Sequence, residues 1–231
     1  MQKPLPKAET YNNENDFMPW GELIDKLVNL VCTKTPKDST VLDLMCGTGF
    51  LIKKIKEQRP DLQITGIDIN EDYIKFALDN MKDVNFICAD TMDWPVDGKY
   101  DLVLCTGGIH HIGFKRQQSL LIKMKGLLSN NGVCITADPF IGNYVDERSR
   151  KLAANELGSE YIRATIEKDA PRDVVKAAID ILDRDIALDG EYKTSIDKFK
   201  KIAKNVFSTI EMHKVWPKTE SEYGDYYFIL T

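Results

Sequence analysis

The sequence has no Cys-x-x-Cys pair, no apolar run long enough to cross a membrane and no excess of basic residues. Its five cysteines lie mostly in apolar runs, where a thiol acts as a small hydrophobic group, so neither a zinc centre nor another metal site is expected. The polar start of the chain lacks the apolar stretch of a secretory signal. A formal net charge of −5 disfavours a nucleic acid or an anionic membrane as partner. The composition therefore predicts a soluble, cytoplasmic protein with a small-molecule partner, and it leaves the oligomeric state open.

Short apolar runs alternate with amphipathic segments through the first part of the chain. Strands are predicted at 40–45, 63–67, 84–88, 100–105 and 133–137, with helices between them. This order is typical of βαβ units, which build a mostly parallel, doubly wound α/β sheet with helices on both faces. Ligands of such sheets bind beyond the carboxyl ends of the strands. Residues 1–231 are expected to form a single domain.

Two helical segments are expected outside this alternation. In the leading segment, 1–37, Leu23, Leu27 and Leu30 recur at helical spacing before Pro36. Residues 139–192 look purely helical and are too long for an ordinary connection, so they are interpreted as an insertion over the ligand end of the sheet. A last strand pair is predicted at 208–215 and 226–230.

A glycine turn and two acidic strand ends are the first candidates for a binding site. The turn contains Gly47 and Gly49 and precedes a helix, where glycines let the backbone approach a ligand closely. Asp68 ends the second strand, where a carboxylate can accept both hydroxyls of a ribose, and Asp90 ends the third, where it can accept from an adenine amino group. Two alternatives stay open: the glycines only allow tight packing, or Asp90 only caps a short helix at 91–94.

Four segments, VLDLMCGTGF, GIDIN, CADTMDW and YDLVLCTGGIHHI, resemble the motif series of class I S-adenosylmethionine-dependent methyltransferases of small-molecule type. The resemblance implies a seven-stranded Rossmann-like sheet with a terminal antiparallel strand, and S-adenosylmethionine as cofactor. It also implies that residues 1–37 and 139–192 cap the site. The cofactor-binding residues that it implies are Tyr11, Asp43, Met45, Gly47, Gly49, Asp68, Ile69, Asp90, Thr91, Cys105 and Thr106.

One residue departs from the family pattern. Met45 stands where the family usually has the first glycine of Asp-x-Gly-x-Gly-x-Gly. Because a methionine favours negative φ, the turn is expected to differ there from the glycine form. A nicotinamide-binding loop is disfavoured, because no third glycine follows Gly47 and Gly49 at the spacing of G-x-G-x-x-G.

Candidate catalytic and acceptor-binding residues follow the fourth and fifth strands. His110 and His111 are placed to take a proton from an oxygen or nitrogen nucleophile near neutral pH, with a purely structural role as the alternative. Asp138, Phe140 and Tyr144 are expected to face the methyl group, with Tyr144 a further catalytic candidate. The arginines in the insertion, Arg148, Arg150 and Arg163, are expected to pair with nearby acidic residues on a solvated face, with contact to an acidic substrate as the alternative.

The predicted function is methylation of a nitrogen or oxygen of a small molecule. Because a sulfonium methyl is already activated, alignment and water exclusion supply most of the catalysis. The alternative is an enzyme that uses the same cofactor without transferring methyl, by intramolecular cyclisation or by release of methylthioadenosine. A third possibility is a non-enzymatic protein that only senses the cofactor.

Overall fold

The computed structural model describes residues 6–95 and 98–231, and its centre is a seven-stranded sheet in the order β3-β2-β1-β4-β5-β7-β6. The pairs β1–β2, β1–β4, β2–β3 and β4–β5 are parallel, whereas β7 is antiparallel to both β5 and β6. The predicted fold class, with its terminal antiparallel strand, is thereby confirmed. The strands are β1 (Thr40–Leu44), β2 (Gln63–Asp68), β3 (Asn85–Cys88), β4 (Tyr100–Thr106), β5 (Leu128–Phe140), β6 (Ile210–Trp216) and β7 (Gly224–Leu230).

Helices cover both faces of this sheet because apolar side chains alternate along each strand. Val41 and Leu102 face a core shared with α2, α3 and α4, whereas Leu42 and Val103 face a core shared with α5 and α8. The helices are α1 (Ala8–Phe17), α2 (Trp20–Lys34), α3 (Phe50–Gln58), α4 (Glu71–Asn80), α5 (Phe114–Gly126), α6 (Glu147–Glu167), α7 (Arg172–Ala187) and α8 (Ile196–Lys204). None of the described helices is long and apolar enough to cross a membrane.

An aromatic cluster joins β5, β7 and α8 inside the second core. The Phe199 ring centroid lies 4.6 Å from that of Phe228 and 5.3 Å from that of Phe140. Phe199 and Phe228 are fully buried. Edge-to-face and tilted contacts of this kind stabilise beyond the area that they bury.

The structure corrects the expected end of the fifth strand. β5 continues to Phe140 because it pairs with β7 as far as Gly224, so Asp138 and Phe140 lie within the strand. The expectation that Phe140 faces the methyl group is wrong, since its buried side chain belongs to the aromatic cluster.

The leading segment contains an additional helix, α1, that the sequence pattern did not predict. Its only buried side chain is that of Glu14, so it has no apolar stripe to signal a helix. It lies against α2, α4 and α7. Residues 1–5 of the same segment lie outside the described residues.

Candidate functional site

The turn after β1 is fixed by three residues in the left-handed conformation. Met45, Gly47 and Gly49 have φ values of 62°, 55° and 76°. The expectation that Met45 would take a negative φ is therefore wrong: the methionine adopts the conformation that glycine would have. Such a conformation costs a non-glycine residue about 1–3 kcal/mol and persists only where the surroundings enforce it. The Cys46 amide, which donates to the Ile67 carbonyl at 2.9 Å, ties the turn to β2.

Asp68 at the end of β2 is held by the backbone of two loops. Its Oδ2 accepts from the Gly47 amide at 2.8 Å, and its Oδ1 accepts from the Asn70 amide at 2.8 Å. Burial raises the pKa of Asp68, and these two hydrogen bonds oppose that rise. Each oxygen keeps a further lone pair for a ligand, so the carboxylate is oriented before anything binds.

The carboxylate of Asp90, after β3, also accepts a hydrogen bond from the backbone. Its Oδ1 accepts from the Met92 amide at 2.7 Å, which caps a tight turn at 91–94 in place of the expected short helix. The neighbouring Thr91 hydroxyl is buried and has no hydrogen-bond partner among the described residues. Ile69, also at this edge, is 66% exposed, which is unusual for a large apolar side chain and leaves it available to a flat ligand.

Two more buried polar atoms without described partners lie at the ends of β1 and β4. They are Oδ1 of Asp43 and Oγ1 of Thr106. Burial and the nearby Asp68 carboxylate raise the pKa of Asp43 to about 7. The Cys105 side chain instead packs into the core, where burial raises the pKa of its thiol. Of the two neighbouring cofactor-binding candidates Cys105 and Thr106, therefore, only Thr106 offers a polar side-chain group at the sheet edge.

Helix α1 covers the glycine turn from above. A Cβ atom added to Gly47 would lie 3.1 Å from Cε1 of Tyr11, a tight contact, and the positive φ of Gly47 also favours glycine. The Tyr11 ring lies 5.0 Å from that of Tyr73 on α4. Thr48 donates through its hydroxyl to the side-chain oxygen of Asn12. Tyr11 and Gly47, both predicted to bind the cofactor, thus lie against each other.

His110 and His111 lie on a single 3-10 turn, Ile109–His111, after β4. His110 Nδ1 lies 2.6 Å from Asp138 Oδ1, and His110 Nε2 lies 3.5 Å from Glu191 Oε2. Burial lowers the pKa of His110 to about 4 and raises that of Asp138 to about 8. At neutral pH the two groups carry no net charge as a unit: one proton lies between Asp138 and Nδ1, and Nε2–H faces Glu191.

Burial also lowers the pKa of His111, whose Nδ1 lies 2.9 Å from the Gly190 carbonyl and therefore donates to it. Burial therefore lowers the pKa of both histidines, whereas the sequence-based expectation was a pair that titrates near neutral pH.

A buried charge cluster that no sequence motif signals supports these histidines. Glu191 contacts the Lys193 ammonium, which also lies 3.7 Å from Asp185 Oδ2. Arg150 donates to the Asp185 carbonyl at 2.9 Å, so it is buried and the expected surface pairing is wrong for this residue. Attraction to Lys193 and to the two histidines outweighs burial and lowers the pKa of Glu191 to about 2.

The same cluster contains a grouping with the geometry of a cation site. One ring nitrogen from each of His110 and His111 and one Glu191 oxygen lie within 4.8 Å of one another. The Lys193 ammonium already neutralises that carboxylate, which disfavours a second cation beside it.

The other two expected arginines are exposed. Arg163 forms surface pairs with Glu160 and Glu167, as predicted, and Arg148 lies on the surface.

A cavity of about 460 Å³ adjoins the histidines. It lies between α1, α6 and α7 and the carboxyl end of the sheet, and Gly107, His110 and Glu191 are among its lining residues. Helices α6 and α7 cross closely beside it: a Cβ atom added to Gly158 would lie 2.6 Å from Cδ1 of Leu182. This volume is within the range of small-molecule sites.

Tyr144, expected at the methyl group, lies elsewhere. Its ring is 3.6 Å from the Lys198 ammonium, and it lines a shallow surface pocket with Asn143 and Ser149. After β5 ends at Phe140, Ile141 is buried and bridges to Ser195, and the chain reaches the surface at Asn143 before α6 begins. The structure therefore brings Tyr11, Gly47 and Asp68 together at the turn and pairs His110 with Asp138. Tyr11 and His110 line the cavity, whereas Phe140 and Tyr144 do not.

Comparison with known proteins places this site in a family context. A family model described as "Methyltransferase domain" matches residues 41–132. Malonyl-[acyl-carrier protein] O-methyltransferase of Acetivibrio thermocellus is 34% identical over 110 residues, which cover 45% of this chain and 39% of that enzyme. Carboxy-S-adenosyl-L-methionine synthase of Campylobacter concisus is 25% identical over 177 residues, covering 71% and 74% of the two chains. The chain spans less than half the length of several of the curated relatives it matches.

A solved structure gives the same picture of the fold. The plantazolicin methyltransferase BpumL, solved with SAH and a desmethylPZN analog, superposes with a TM-score of 0.63. The alignment covers 95% of this chain and 88% of that chain at 17% identity. At this identity the likeness concerns the fold alone.

Proposed function

We propose that this chain, which carries a class I S-adenosylmethionine-dependent methyltransferase domain, transfers a methyl group to a nitrogen or oxygen of a small molecule. The observation that carries the proposal is the edge of the sheet formed by β1, β2 and β4. There the fixed Asp68 carboxylate and the buried, unpartnered oxygens of Asp43 and Thr106 lie at the ends of adjacent strands, and Gly107, next to Thr106, lines the cavity. Buried polar atoms without partners are costly, and a polar ligand removes that cost.

The residues at this edge fit the parts of S-adenosylmethionine. The lone pairs that remain on Asp68 suit two ribose hydroxyls, and exposed Ile69 with the Thr91 hydroxyl suits an adenine ring. Gly47, Gly49, Met45, Asp43 and Thr106, in the turn after β1 and at the ends of β1 and β4, are assigned to the methionine portion. Asp90 contributes to the adenine side mainly by shaping the turn at 91–94.

Two segments act as covers in this proposal. The leading segment, 1–37, supplies Tyr11 and Trp20 from α1 and α2, and the insertion, 139–192, supplies α6 and α7. Together they enclose the cavity and exclude water, which strengthens the electrostatic interactions inside it. Residues 1–231 form a single domain in this view.

The chemistry asks little of the protein beyond alignment. When bound, S-adenosylmethionine supplies a methyl group on a positively charged sulfur. The enzyme positions the acceptor lone pair in line with that bond and excludes competing water. If the acceptor arrives protonated, His110 Nε2 is placed to take the proton once the His110–Asp138 unit has lost its own.

A second candidate function keeps the cofactor and changes the product. The relative from Campylobacter concisus, whose name denotes synthesis of an S-adenosylmethionine derivative, matches 71% of this chain. In that case the cavity holds a reagent that modifies the cofactor, or the sulfonium leaves as methylthioadenosine.

Product analysis separates these functions. The protein is incubated with S-adenosylmethionine and a panel of small amines, phenols and carboxylic acids, and the nucleoside products are quantified by mass spectrometry. S-adenosylhomocysteine formed in step with a methylated acceptor supports methyl transfer, whereas methylthioadenosine or a carboxylated cofactor supports the second function. If calorimetry shows that S-adenosylmethionine binds but no product forms from it, the result supports a non-enzymatic protein that senses the cofactor.

The five free cysteines, of which Cys105 and Cys134 are fully buried, support a reducing compartment and hence a cytoplasmic location.

A further inference from the structure

Glu14 is a buried acid that nothing in the described structure neutralises. It lies on α1, is only 8% exposed and lines the cavity. Its Oε1 has no hydrogen-bond partner among the described residues. Because a buried carboxylate without a partner is costly, its presence points to a ligand that pairs with it.

The charges that act on Glu14 are negative. They belong to Glu191 and Asp173, and together with burial they raise the pKa of Glu14 to about 8. A cation bound beside Glu14 would stabilise the ionised form against both effects.

The side chains that line the cavity carry, like the neighbours of Glu14, an excess of negative charge. Five carboxyl groups line it against three cationic side chains. Of these cations, Lys193 contacts Glu191 and Asp185, and Lys176 pairs with Asp180.

The rest of the wall is apolar and aromatic. Tyr11, Trp20 and Tyr161 line the cavity together with Met18 and Leu157. Aromatic faces attract cations and also cover apolar surface. A ligand that suits this wall has an apolar body and one positively charged group.

We propose that the methyl acceptor is an apolar amine whose ammonium group binds the Glu14 carboxylate, a proposal that rests on the methyltransferase function of the same site. Before methyl transfer one ammonium proton passes to that carboxylate, which frees the nitrogen lone pair for the new N–C bond, with S-adenosylhomocysteine as the leaving group. The ammonium group of the cofactor is a less suitable partner. Glu14 lines the cavity, whereas Asp43 and Asp68 do not, although Glu14 and Asp68 both raise the pKa of Tyr11 between them.

The proposal is tested by calorimetry on protein saturated with S-adenosylhomocysteine. The probes are phenethylamine and tryptamine, each paired with the alcohol of the same shape, 2-phenylethanol and tryptophol. We expect the amines to bind about tenfold or more tightly than the alcohols, because only the amines form a charge-assisted hydrogen bond with a buried carboxylate. Equal affinity for the two members of each pair, or no binding of either amine, overturns the proposal.

The variants are Glu14→Gln, which keeps the shape of the side chain, and Asp16→Asn. Asp16 is exposed on the same helix, so its variant controls for the loss of one charge. We expect Glu14→Gln to weaken amine binding about tenfold, to leave alcohol binding unchanged and to leave the affinity for S-adenosylhomocysteine within about twofold; Asp16→Asn should change none of these. Unchanged amine affinity in Glu14→Gln contradicts the proposal, and a tenfold loss of S-adenosylhomocysteine affinity assigns Glu14 to the cofactor.

The first titration keeps the two proposals apart. If the wild-type protein does not bind S-adenosylhomocysteine, the methyltransferase function itself fails. If it binds the cofactor product but shows no preference for amines, only the assignment of Glu14 fails.

Discussion

Asp68 combines a structural and a proposed binding role in one carboxylate. It joins the turn after β1 to the end of β2 through the amides of Gly47 and Asn70. Removing it therefore leaves two backbone donors without their acceptor and also removes the proposed partner of the ribose. Loss of the backbone hydrogen bonds lowers protein stability, whereas loss of the ribose partner lowers cofactor affinity, so the two effects can be measured separately.

We expect Asp68→Ala to weaken S-adenosylmethionine binding by about 1–3 kcal/mol, through the loss of charge-assisted hydrogen bonds. Isothermal calorimetry measures the change, and Asp79→Ala, on the exposed side of α4, is the matched control. Unchanged affinity in a folded Asp68→Ala protein would mean that the ribose binds elsewhere.

The His110–Asp138 unit gives the reaction a predicted pH dependence. Because burial raises the pKa of Asp138 to about 8 while lowering that of His110 to about 4, Nε2 of His110 carries a proton at neutral pH. The form that can accept a proton has an ionised Asp138 bonded to Nδ1–H, and its population grows as the pH rises through about 8. If His110 is the base, kcat/KM should rise with pH and level off above about 8.

Substituting His110 tests the same assignment. We expect His110→Ala to lower kcat about a hundredfold and to leave the affinity for S-adenosylmethionine within about twofold. His213, which stacks on Tyr227 at 4.7 Å on the last two strands, supplies a control variant far from the cavity. Unchanged turnover with a flat pH profile between 6 and 9 would reduce His110 to a structural residue.

Among the helices, α1 and α2 differ in how they are held. Five apolar side chains of α2 are buried in the core, whereas α1 buries only Glu14 and contacts its neighbours through Tyr11, Asn12 and Thr10. Few buried apolar contacts mean a small free energy of local opening. Helix α1 is therefore suited to open for ligand entry.

We expect the amides of α1 to exchange with solvent much faster than those of α2 in the unliganded protein. S-adenosylmethionine should slow exchange in α1, because Tyr11 lies directly over the turn that binds it. Hydrogen exchange followed by mass spectrometry measures both helices in one sample, so α2 is the internal control. Equal protection of the two helices without ligand would contradict this difference.

At the scale of the whole molecule, the aromatic cluster secures the antiparallel end of the sheet. Phe199 on α8 is fully buried against Phe140 of β5 and Phe228 of β7. We expect Phe199→Ala to lower the free energy of unfolding by about 3–5 kcal/mol, because it removes a large side chain and leaves a void. Urea denaturation measures the loss.

Ile122→Ala is the control for this substitution. Ile122 is 55% exposed on α5, so its truncation should change the free energy of unfolding by less than about 0.5 kcal/mol. A loss in Phe199→Ala as small as that in the control would show that the cluster contributes little.

Much of the fold could be predicted from the sequence because its signals are local. The strands β1 to β4 end close to their predicted bounds, since each is a short apolar run followed by glycine or acidic residues. The end of β5 could not be placed, because pairing with β7, some 90 residues further on, extends it. Helix α1 gave no signal, because its buried face consists of a single acid.

The candidate site divides in the same way. Gly47 and Asp68 belong to motifs and lie where the sequence predicted. Glu191 reaches His110 across about 80 residues of sequence, Lys193 pairs with Glu191, and no spacing rule links this cluster to the histidines. Met45 took the conformation of the glycine it replaces, because the hydrogen bonds of the turn constrain the backbone more strongly than the side chain does.

The close crossing of α6 and α7 at Gly158 bears on how this protein can change its range of acceptors. A side chain added there would displace that of Leu182 and so reshape the wall of the cavity that both residues line. The glycine turn and Asp68 belong to other segments and do not line the cavity. The volume of the cavity and the proposed binding of the cofactor thus depend on different segments of the chain. Substitutions at this crossing should therefore change which molecules the cavity accepts and leave the proposed cofactor site unchanged.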